Sequence, residues 1–442
     1  MNTPFEASVS KLVYGGQGLI HHEGKAYLVG GVAPDERIRA HFRYRKKGIN
    51  WAELEEVIEP NYDQRIQPQC KHFQVCGGCN YQHLSYDAQL RIKEKILQEI
   101  FQAQIMLSES LCSPKQFNYR NKCEFTFGEN DRGELILGLH PEGKFFEVLS
   151  LEECHLLAPS IWNLLQMALR LARESGLSRY QDIKDAGFFA TLTVRYSTSS
   201  DELLLLWKVK DPDHSKLSEI NQKLRESFPN LAGILAVPAP RGDLLLLVGR
   251  NTIVQKIDQV ELIYQAENFF QINTDLLPSM MNTVLDLVRE SGADLIYDLF
   301  AGVGAIGIYL GYHLPGIKVI CAETDPTASK IASLNAELNC LNGFQSHNLD
   351  LFRKGWGKLL KTESKNPCAI VDPPRAGLST RTIEEILVLA PDTIVYISCN
   401  PTTQKRDIDL LASQGYQLQS LRLVDLFPQT YHLESIAYIR RI

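Results

Sequence analysis

Three patterns of apolar and polar positions follow one another along the chain. The first sixty residues alternate in short runs, "LVYGGQGL", "KAYLVGG", "ERIRAHFRYRKKG" and "WAELEEVIEP", with turn residues between them. Alternation at period two with closely spaced glycine turns predicts a small β-barrel over residues 1–59. "EPNYDQRIQPQ" reads as a linker. A helical run, "YDAQLRIKEKILQEIFQAQ", is predicted from Tyr86 to Gln104. Strand and helix signals then mix from Tyr119 to Val260, as in "CEFTFG", "SIWNLLQMALRLARES" and "ELLLLWKV", which predicts an α+β insert. From Asn273 the pattern becomes regular. A helix over Leu276–Ser291 precedes "DLIYDLF", "KVICAET", "CAIVDPP" and "TIVYISCNP", and helical segments separate these strands. That order predicts a doubly wound parallel sheet. The expected division is 1–59 for the barrel, 60–84 with 112–264 for the insert, and 85–111 with 265–442 for the α/β domain.

Composition narrows the class. A chain of 442 residues with 44% apolar and 22% charged residues is ordinary for a globular protein of two or three domains. The longest apolar runs, "LLLLW" at Leu203 and "LLLLVG" at Leu244, have strand length, so no membrane span is expected. No charged segment leads into an apolar core at the N-terminus, so no signal peptide is read there. Ten cysteines in a large, charged chain point to a reducing cytoplasm, where cysteine signifies metal binding or catalysis. The net charge of −6 does not favour a polyanionic partner, but charge acts locally. "RIRAHFRYRKK" carries six Lys or Arg, among them Arg43 and Arg45, with Phe42 and Tyr44 interleaved. Such a strand suits RNA, with cations for phosphates and rings for bases; it equally suits an edge strand guarded by charge.

The chemistry concentrates at the predicted strand ends. "DLFAGVGAIG" sets Gly302, Gly304 and Gly307 between a strand and a helix, where backbone passes close to a ligand. Glu323 ends the next strand, placed to accept from a ribose diol, and Asp350 ends the third, placed for an adenine amino group. Together they favour a nucleoside cofactor, with NAD and S-adenosylmethionine both compatible. "VDPPRAG" makes a rigid, exposed turn at Asp372. It resembles the Asp-Pro-Pro turn of class I methyltransferases that act on planar bases, with Arg375 where the enzymes of exocyclic nitrogens carry an aromatic ring. A ring-carbon target demands covalent chemistry. C5 of uracil becomes nucleophilic once a thiolate adds to C6, and a base must then remove the C5 proton. Cys399, at the tip of "TIVYISC", is the candidate nucleophile. Glu434 is the candidate base, with His432 as its competitor.

These residues carry a resemblance. "FFQIN" at Phe269, "DLFAGVG", "DPPRAG", "SCNP" and "FPQTYHLES" resemble, in order, the motif series of the RNA uracil-C5 methyltransferases. The resemblance covers roughly the C-terminal 175 residues. It implies Cys399 as nucleophile, Glu434 as base, and Gln271, Phe300, Glu323, Asp350 and Asp372 around S-adenosylmethionine. Ala305 departs from the asparagine of some relatives and leaves only a backbone contact to the cofactor. Arg375 and Asn400 are expected near the flipped base. "NYRNKCEF" resembles a family segment facing RNA, with Arg120 and Lys122 as contacts, though it could be a polar strand edge.

Cys70, Cys76 and Cys79 have the spacing C-x5-C-x2-C, and Cys154 could be a fourth ligand. Spacing alone leaves structural zinc, a [4Fe-4S] cluster and free thiols open. "CGGCNYQH" with the distant cysteine resembles the ribosomal RNA branch of the family, which implies [4Fe-4S]. The barrel resembles a TRAM domain of the same branch, whereas the transfer RNA branch typically lacks both. The implied activity is therefore methylation of uridine C5 in 23S ribosomal RNA by a cytoplasmic monomer. The alternatives are the same reaction on transfer RNA, an N-methyltransferase using Asp-Pro-Pro alone, and a non-catalytic RNA-binding iron–sulfur protein.

Overall fold

The computed structural model describes residues 3–102, 105–144 and 146–442. The N-terminal part is a closed barrel of five strands: β1 (Phe5–Leu12), β2 (Gly18–His22), β3 (Lys25–Val29), β4 (Arg37–Lys46) and β5 (Ile49–Glu59). Val9, Ile20, Val29, Ile38 and Ala40 fill its interior, as alternation requires. It is not a simple meander, because β5 inserts between β3 and β4 and runs parallel to β3. Three of the six cations of the basic segment lie beside carboxylates. Arg37 and Arg39 pair with Glu6, Glu59 and Glu56, and Arg43 lies 3.6 Å from Glu53. Arg45 instead donates to the Gly48 carbonyl. Tyr44 stacks on Trp51 with ring centroids 5.8 Å apart.

The helix α1 (Tyr86–Ile100) and strand β6 (Leu107–Leu111) follow. The helix ends earlier than its apolar periodicity suggests: Phe101 turns inward and Gln102 adopts φ 56°. The expected end at Gln104 lies outside the described residues.

The insert is a seven-stranded sheet in the order β13-β12-β11-β10-β7-β8-β9. Its strands are β7 (Lys122–Glu129), β8 (Leu135–Leu139), β9 (Leu149–Ser150), β10 (Phe189–Ser197), β11 (Glu202–Val209), β12 (Leu231–Pro238) and β13 (Leu245–Gly249). Helices α2 (Pro159–Ser175) and α3 (Ser215–Ser227) bury Ile161, Leu165 and Leu217 in one core with Phe127 and Trp207. A hairpin, β14 (Thr252–Ile257) and β15 (Val260–Gln265), leads out.

The C-terminal part is an α/β layer built on an eight-stranded sheet, ordered β18-β17-β16-β19-β20-β22-β21-β6. Its elements are α4 (Leu277–Ser291), β16 (Leu295–Leu299), α5 (Ala305–His313), β17 (Lys318–Glu323), α6 (Pro326–Leu338), β18 (Phe344–Asn348), α7 (Trp356–Leu360), β19 (Pro367–Val371), α8 (Thr380–Leu389), β20 (Thr393–Ser398), α9 (Pro401–Ala412), β21 (Tyr416–Val424) and β22 (Glu434–Arg441). Five strands are parallel, as the glycine-punctuated apolar runs predict. The last, β22, enters antiparallel between β20 and β21. No described helix is long and apolar enough to cross a membrane.

One hydrophobic cluster runs from the barrel through α1 onto a face of this sheet, joining Val9, Leu12, Ile92, Tyr396 and Leu433. The helix also clamps the segment between β21 and β22. Lys93 Nζ donates to Asp425 at 2.6 Å and to the Phe427 carbonyl at 3.1 Å, with both charged side chains fully buried. One turn earlier, Gln89 donates to the Gln429 side chain at 3.0 Å and accepts from its backbone N–H at 2.8 Å. A buried pair is costly to break because the survivor keeps its desolvation penalty. Lys93→Ala should therefore lower unfolding free energy by roughly 3–5 kcal/mol. Replacing Lys93 and Asp425 together by Met and Leu should recover most of it. Urea titration of the variants checks both, and equal losses for the single and double variants would refute the account.

Candidate functional site

The carboxyl edge of the parallel strands carries the first half of the site. Beyond β16 the backbone turns through Phe300, Gly302 and Gly304, all at positive φ. At Gly304 only hydrogen fits, since a Cβ would lie 2.9 Å from Ile308 and 3.0 Å from Ala332. At Gly302 a Cβ would meet nothing within 4 Å, so this turn opens onto empty space. Glu323 braces the turn: one carboxylate oxygen accepts from Gly302 N–H at 2.9 Å, the other from Asp325 N–H at 2.8 Å. Asp350, at the end of the neighbouring strand, accepts from Phe352 N–H and pairs with Arg353. Phe300 and Phe352 face each other at 5.6 Å.

A pocket lies beside this turn. Phe269, Gln271, Phe300, Ala305, Asp298 and Asp372 are among its lining residues. Asp298 accepts from Gly307 N–H at 2.8 Å through one oxygen, while its other oxygen is buried without a partner. Burial pushes its carboxyl up to about 7. Burial, then Asp298, raises Asp372 to about 7 as well. An unpaired buried carboxylate oxygen, a second carboxylate and an open glycine turn fit a cationic nucleoside cofactor such as S-adenosylmethionine. Glu323 and Asp350 stand outside this lining, on the adjacent strand tips.

Segment 118–125, read from sequence as an RNA-facing stretch, holds the pocket wall through Asn121. Asn121 donates from its side chain to Gln271 and from its backbone to Ile272. Arg120 does not face open solvent. It lines a pocket formed by Cys70, Cys76, Cys79 and Cys154, to which Cys123 also contributes. Lys122 is half-buried, and burial with the nearby Arg195 pushes its amine down to about 8. Sequence alone could not place these cations, because their exposure depends on distant packing partners.

The four predicted cysteine ligands thus converge on one pocket. Burial raises all four thiols, Cys79 and Cys154 to about 12. Gly78 N–H donates to Cys76 Sγ at 3.4 Å. Among the described residues, no group of three or more His, Cys, Asp and Glu side chains is arranged to hold a metal ion.

The second half of the site follows from strand register. β20 and β22 pair antiparallel from Thr393↔Arg440 to Ser398↔Ser435. One step further along that register sets Cys399 opposite Glu434. Ser435 Oγ donates to Gln404 at 2.7 Å, tying β22 to α9. Asn400 caps α9 and donates to the Arg375 carbonyl at 3.0 Å, and Thr403 donates to the same oxygen. The "DPPRAG" turn is thereby fixed against the thiol. Burial first, then Glu434, raises the Cys399 thiol to about 11, with Arg375 opposing and Asp372 adding. Burial, then Asp372, lifts Glu434 well above the usual carboxylate range, again opposed by Arg375. His432 packs its ring between Tyr431 and Phe427, and burial pushes it down to about 4. A half-buried neutral imidazole, it lacks the cross-strand relation that Glu434 has to the thiol.

The sequence reading missed Gln89, Lys93 and Tyr14. The first two are polar residues four apart on the buried stripe of α1, a mismatch to amphipathic patterning that could have been noticed. Tyr14 offers no such signal.

The chain is similar to known RNA methyltransferases. Residues 85–442 match the family model of tRNA (uracil-5-)-methyltransferase. An uncharacterized RNA methyltransferase of Caldanaerobacter subterraneus is 30% identical, covering 98% of each chain. Another from Clostridium tetani is 30% identical over 99% of this chain and 97% of its own. Among solved structures, Pyrococcus abyssi tRNA (uracil-54, C5)-methyltransferase in complex with S-adenosyl-L-homocysteine is similar at 25% identity. Its TM-score is 0.78, and the match covers 98% of this chain and 99% of that one.

The raised thiol has a direct consequence in the free protein. With its pKa about 11, Cys399 is protonated at neutral pH, and its thiolate fraction grows with pH. Iodoacetamide should alkylate Cys399 about tenfold faster per pH unit between about pH 7 and pH 10. Glu434→Gln should move the rise to lower pH by removing a like charge. Peptide mapping by mass spectrometry reads both, and a plateau near about pH 8.5 would contradict the buried, acid-flanked thiol.

Proposed function

The chain belongs to the tRNA (uracil-5-)-methyltransferase family and is an S-adenosylmethionine-dependent RNA uracil-5-methyltransferase, and from that premise we propose how its own residues divide the work. Cys399 is the nucleophile and Glu434 the base. The observation that supports this is the β20–β22 register: continued one step beyond Ser398↔Ser435 it sets Cys399 opposite Glu434, with Asp372 and Arg375 near enough to shift both groups.

S-adenosylmethionine supplies an electrophilic methyl group when bound. Gln271, Phe300, Asp372 and the backbone at Ala305 would hold it, with Glu323 and Asp350 on the adjacent strand tips offering acceptors for its ribose and adenine. Arg375 stabilises the Cys399 thiolate once its proton has left to solvent. The thiolate adds to C6 of a flipped-out uridine, and the C5=C6 electron pair moves to C5. After C5 has taken the methyl, Glu434 removes the C5 proton. The double bond reforms and the sulfur is expelled. The raised affinity of Glu434 for a proton makes it a stronger base for this elimination.

For the substrate, 23S ribosomal RNA is the first reading. It rests on the resemblance of "CGGCNYQH" and Cys154 to the ribosomal branch, and on the convergence of those four thiols. Transfer RNA is the second. The P. abyssi enzyme acts on transfer RNA and matches this chain almost end to end, so barrel and insert together do not separate the two RNAs. In either case the barrel acts as a TRAM-like RNA grip. Arg43, Arg45 and the stacked Tyr44–Trp51 pair offer cations beside aromatic faces. Arg375, exposed at the site mouth, and Lys122 are further RNA contacts. Arg120, turned towards the thiols, would act on RNA through the loop it holds.

Cys70, Cys76, Cys79 and Cys154 are proposed to hold a [4Fe-4S] cluster that shapes the insert. Protein purified without oxygen should be brown, absorbing near about 400 nm. Cys79→Ala should lose that band. A colourless, zinc-positive sample would reverse the assignment.

The reaction is tested with unmodified 23S and transfer RNA tritiated at uracil C5. Wild type should release tritium to water only with its true substrate, and Cys399→Ala should release none. Glu434→Gln should slow release by about 10²–10⁴-fold and accumulate a Cys399–RNA adduct visible on denaturing gels. Release by Cys399→Ala at the wild-type rate would refute the covalent route. Release from transfer RNA alone would replace the substrate and leave the mechanism.

A further inference from the structure

The barrel places one side chain inside the reaction site. Tyr14 lies in the turn between β1 and β2, a tight loop in which Val13 N–H donates to Gln17 and Gly16 N–H donates to Val13. Gly15 and Gly16 both take positive φ, 115° and 90°. The loop presses on the segment that carries the base. A Cβ on Gly16 would lie 3.0 Å from Tyr431 Cβ and 3.2 Å from its Cδ1. The Tyr14 ring meets Tyr431 edge-on at 6.3 Å. Its hydroxyl donates to the backbone carbonyl of Cys399 at 3.2 Å.

That carbonyl sits at an awkward point. It lies beyond the last residue of β20 and before the first helical bond of α9, from Gln404 N–H to Asn400. Neither ladder nor helix fixes the Cys399–Asn400 peptide: Ser398 Oγ accepts from its N–H at 3.1 Å, and Tyr14 supplies the partner of its carbonyl. Ring packing alone would be served by phenylalanine. A hydroxyl aimed at the one carbonyl attached to the thiol residue calls for a further reason. We propose that Tyr14 is a positioning residue for the reaction: it fixes the Cys399 peptide so that the thiolate meets C6, making the barrel a structural part of the catalytic site. Burial, then the nearby Cys399, holds the phenol up at about 12, so it remains a donor across the working pH range.

The proposal rests on Cys399 as nucleophile, and the test separates the two. RNA containing 5-fluorouridine has no C5 proton for Glu434 to remove, so the methylated adduct stays on Cys399 and its formation can be timed. With full-length protein and S-adenosylmethionine, Tyr14→Phe should form adduct about tenfold more slowly than wild type, the loss of one hydrogen bond. Its kcat should fall in step. KM for RNA, KM for the cofactor and Tm should stay at wild-type values, because the ring still packs on Tyr431. Tyr14→Ala, which loses the ring as well, should also raise the KM for RNA. An unchanged adduct rate in Tyr14→Phe, with wild type active, overturns the positioning role alone. A slowed rate accompanied by matching changes in Tm and KM also overturns it, since that is the mark of a packing residue. A wild type that forms no adduct with either RNA overturns the nucleophile and the positioning role together.

Discussion

The site depends on one pairing register. In an open parallel sheet, side chains meet at the carboxyl edge because every strand ends there. A strand entering antiparallel reverses this, so that its first residue, not its last, reaches the same edge. β22 does so beside β20, and Cys399 leaves the sheet where Glu434 enters it. Side chains alternate faces along a strand, so a slip of one residue would turn Glu434 away from the thiol. The rest of the chemistry follows from the crowding this creates. A thiol and two carboxyl groups crowd one sheet edge beside an exposed guanidinium, and they cannot all ionise there at once. A cationic cofactor entering the pocket beside Asp372 would change that balance, linking cofactor occupancy to thiol ionisation.

Register fixes the order of residues but not the path of the tail that delivers them. Residues 425–433 form a loop, yet their polar groups are bound from several distant parts of the chain. Lys93 and Gln89 reach them from α1. Asn80 and Tyr81, directly after Cys79, donate to the Gln429 carbonyl. Tyr119 donates to Pro428 at 2.9 Å and Asn273 to Leu426 at 3.3 Å. The barrel turn packs on Tyr431. Satisfied buried polar groups specify one arrangement more sharply than apolar contacts do, since each misplacement strands a donor or acceptor. The N-terminal domains are therefore part of what holds the base in place.

This explains what could be read from sequence and what could not. Strand tips announce themselves locally: a β-rich run, then Gly-rich or Pro-containing turns, as at Gly302, Asp372 and Asn400. Cys399 stood out as a candidate for the same reason and Glu434 through the resemblance of its tail, but the register that opposes them was not legible, because it pairs residues 35 positions apart. The basic strand shows the converse. Its six cations were plain, and so were the acids of "WAELEEVIEP", but only the β4–β5 register shows that Arg39 meets Glu56 and that Arg43 lies near Glu53. Arg120 looked like a surface cation because nothing local says that distant thiols surround it. The apolar stripe of α1 was read correctly, while Gln89 and Lys93 within it passed as incidental.

The same reasoning bears on the cysteine segment. Residues 60–84 contain no helix or strand, a length at which an irregular segment inside a compact protein needs some other source of order. Part of it is a buried ion pair, Arg65 with Glu36, and His83 against the Val32 carbonyl. Those contacts anchor the two ends of the segment to the barrel, while Gly77 N–H on the His140 carbonyl, Lys71 N–H on Glu153 and Glu152 N–H on His72 hold the stretch around Cys70–Cys79 to the insert. Because Asn80 and Tyr81 bind the catalytic tail directly, the conformation of that stretch is transmitted to the base through two peptide N–H groups. A centre bridging Cys70, Cys76, Cys79 and Cys154 would tie the linker to the insert at the point where both touch the active site. Such a centre would bear on the chemistry through geometry, with no electron transfer required of it.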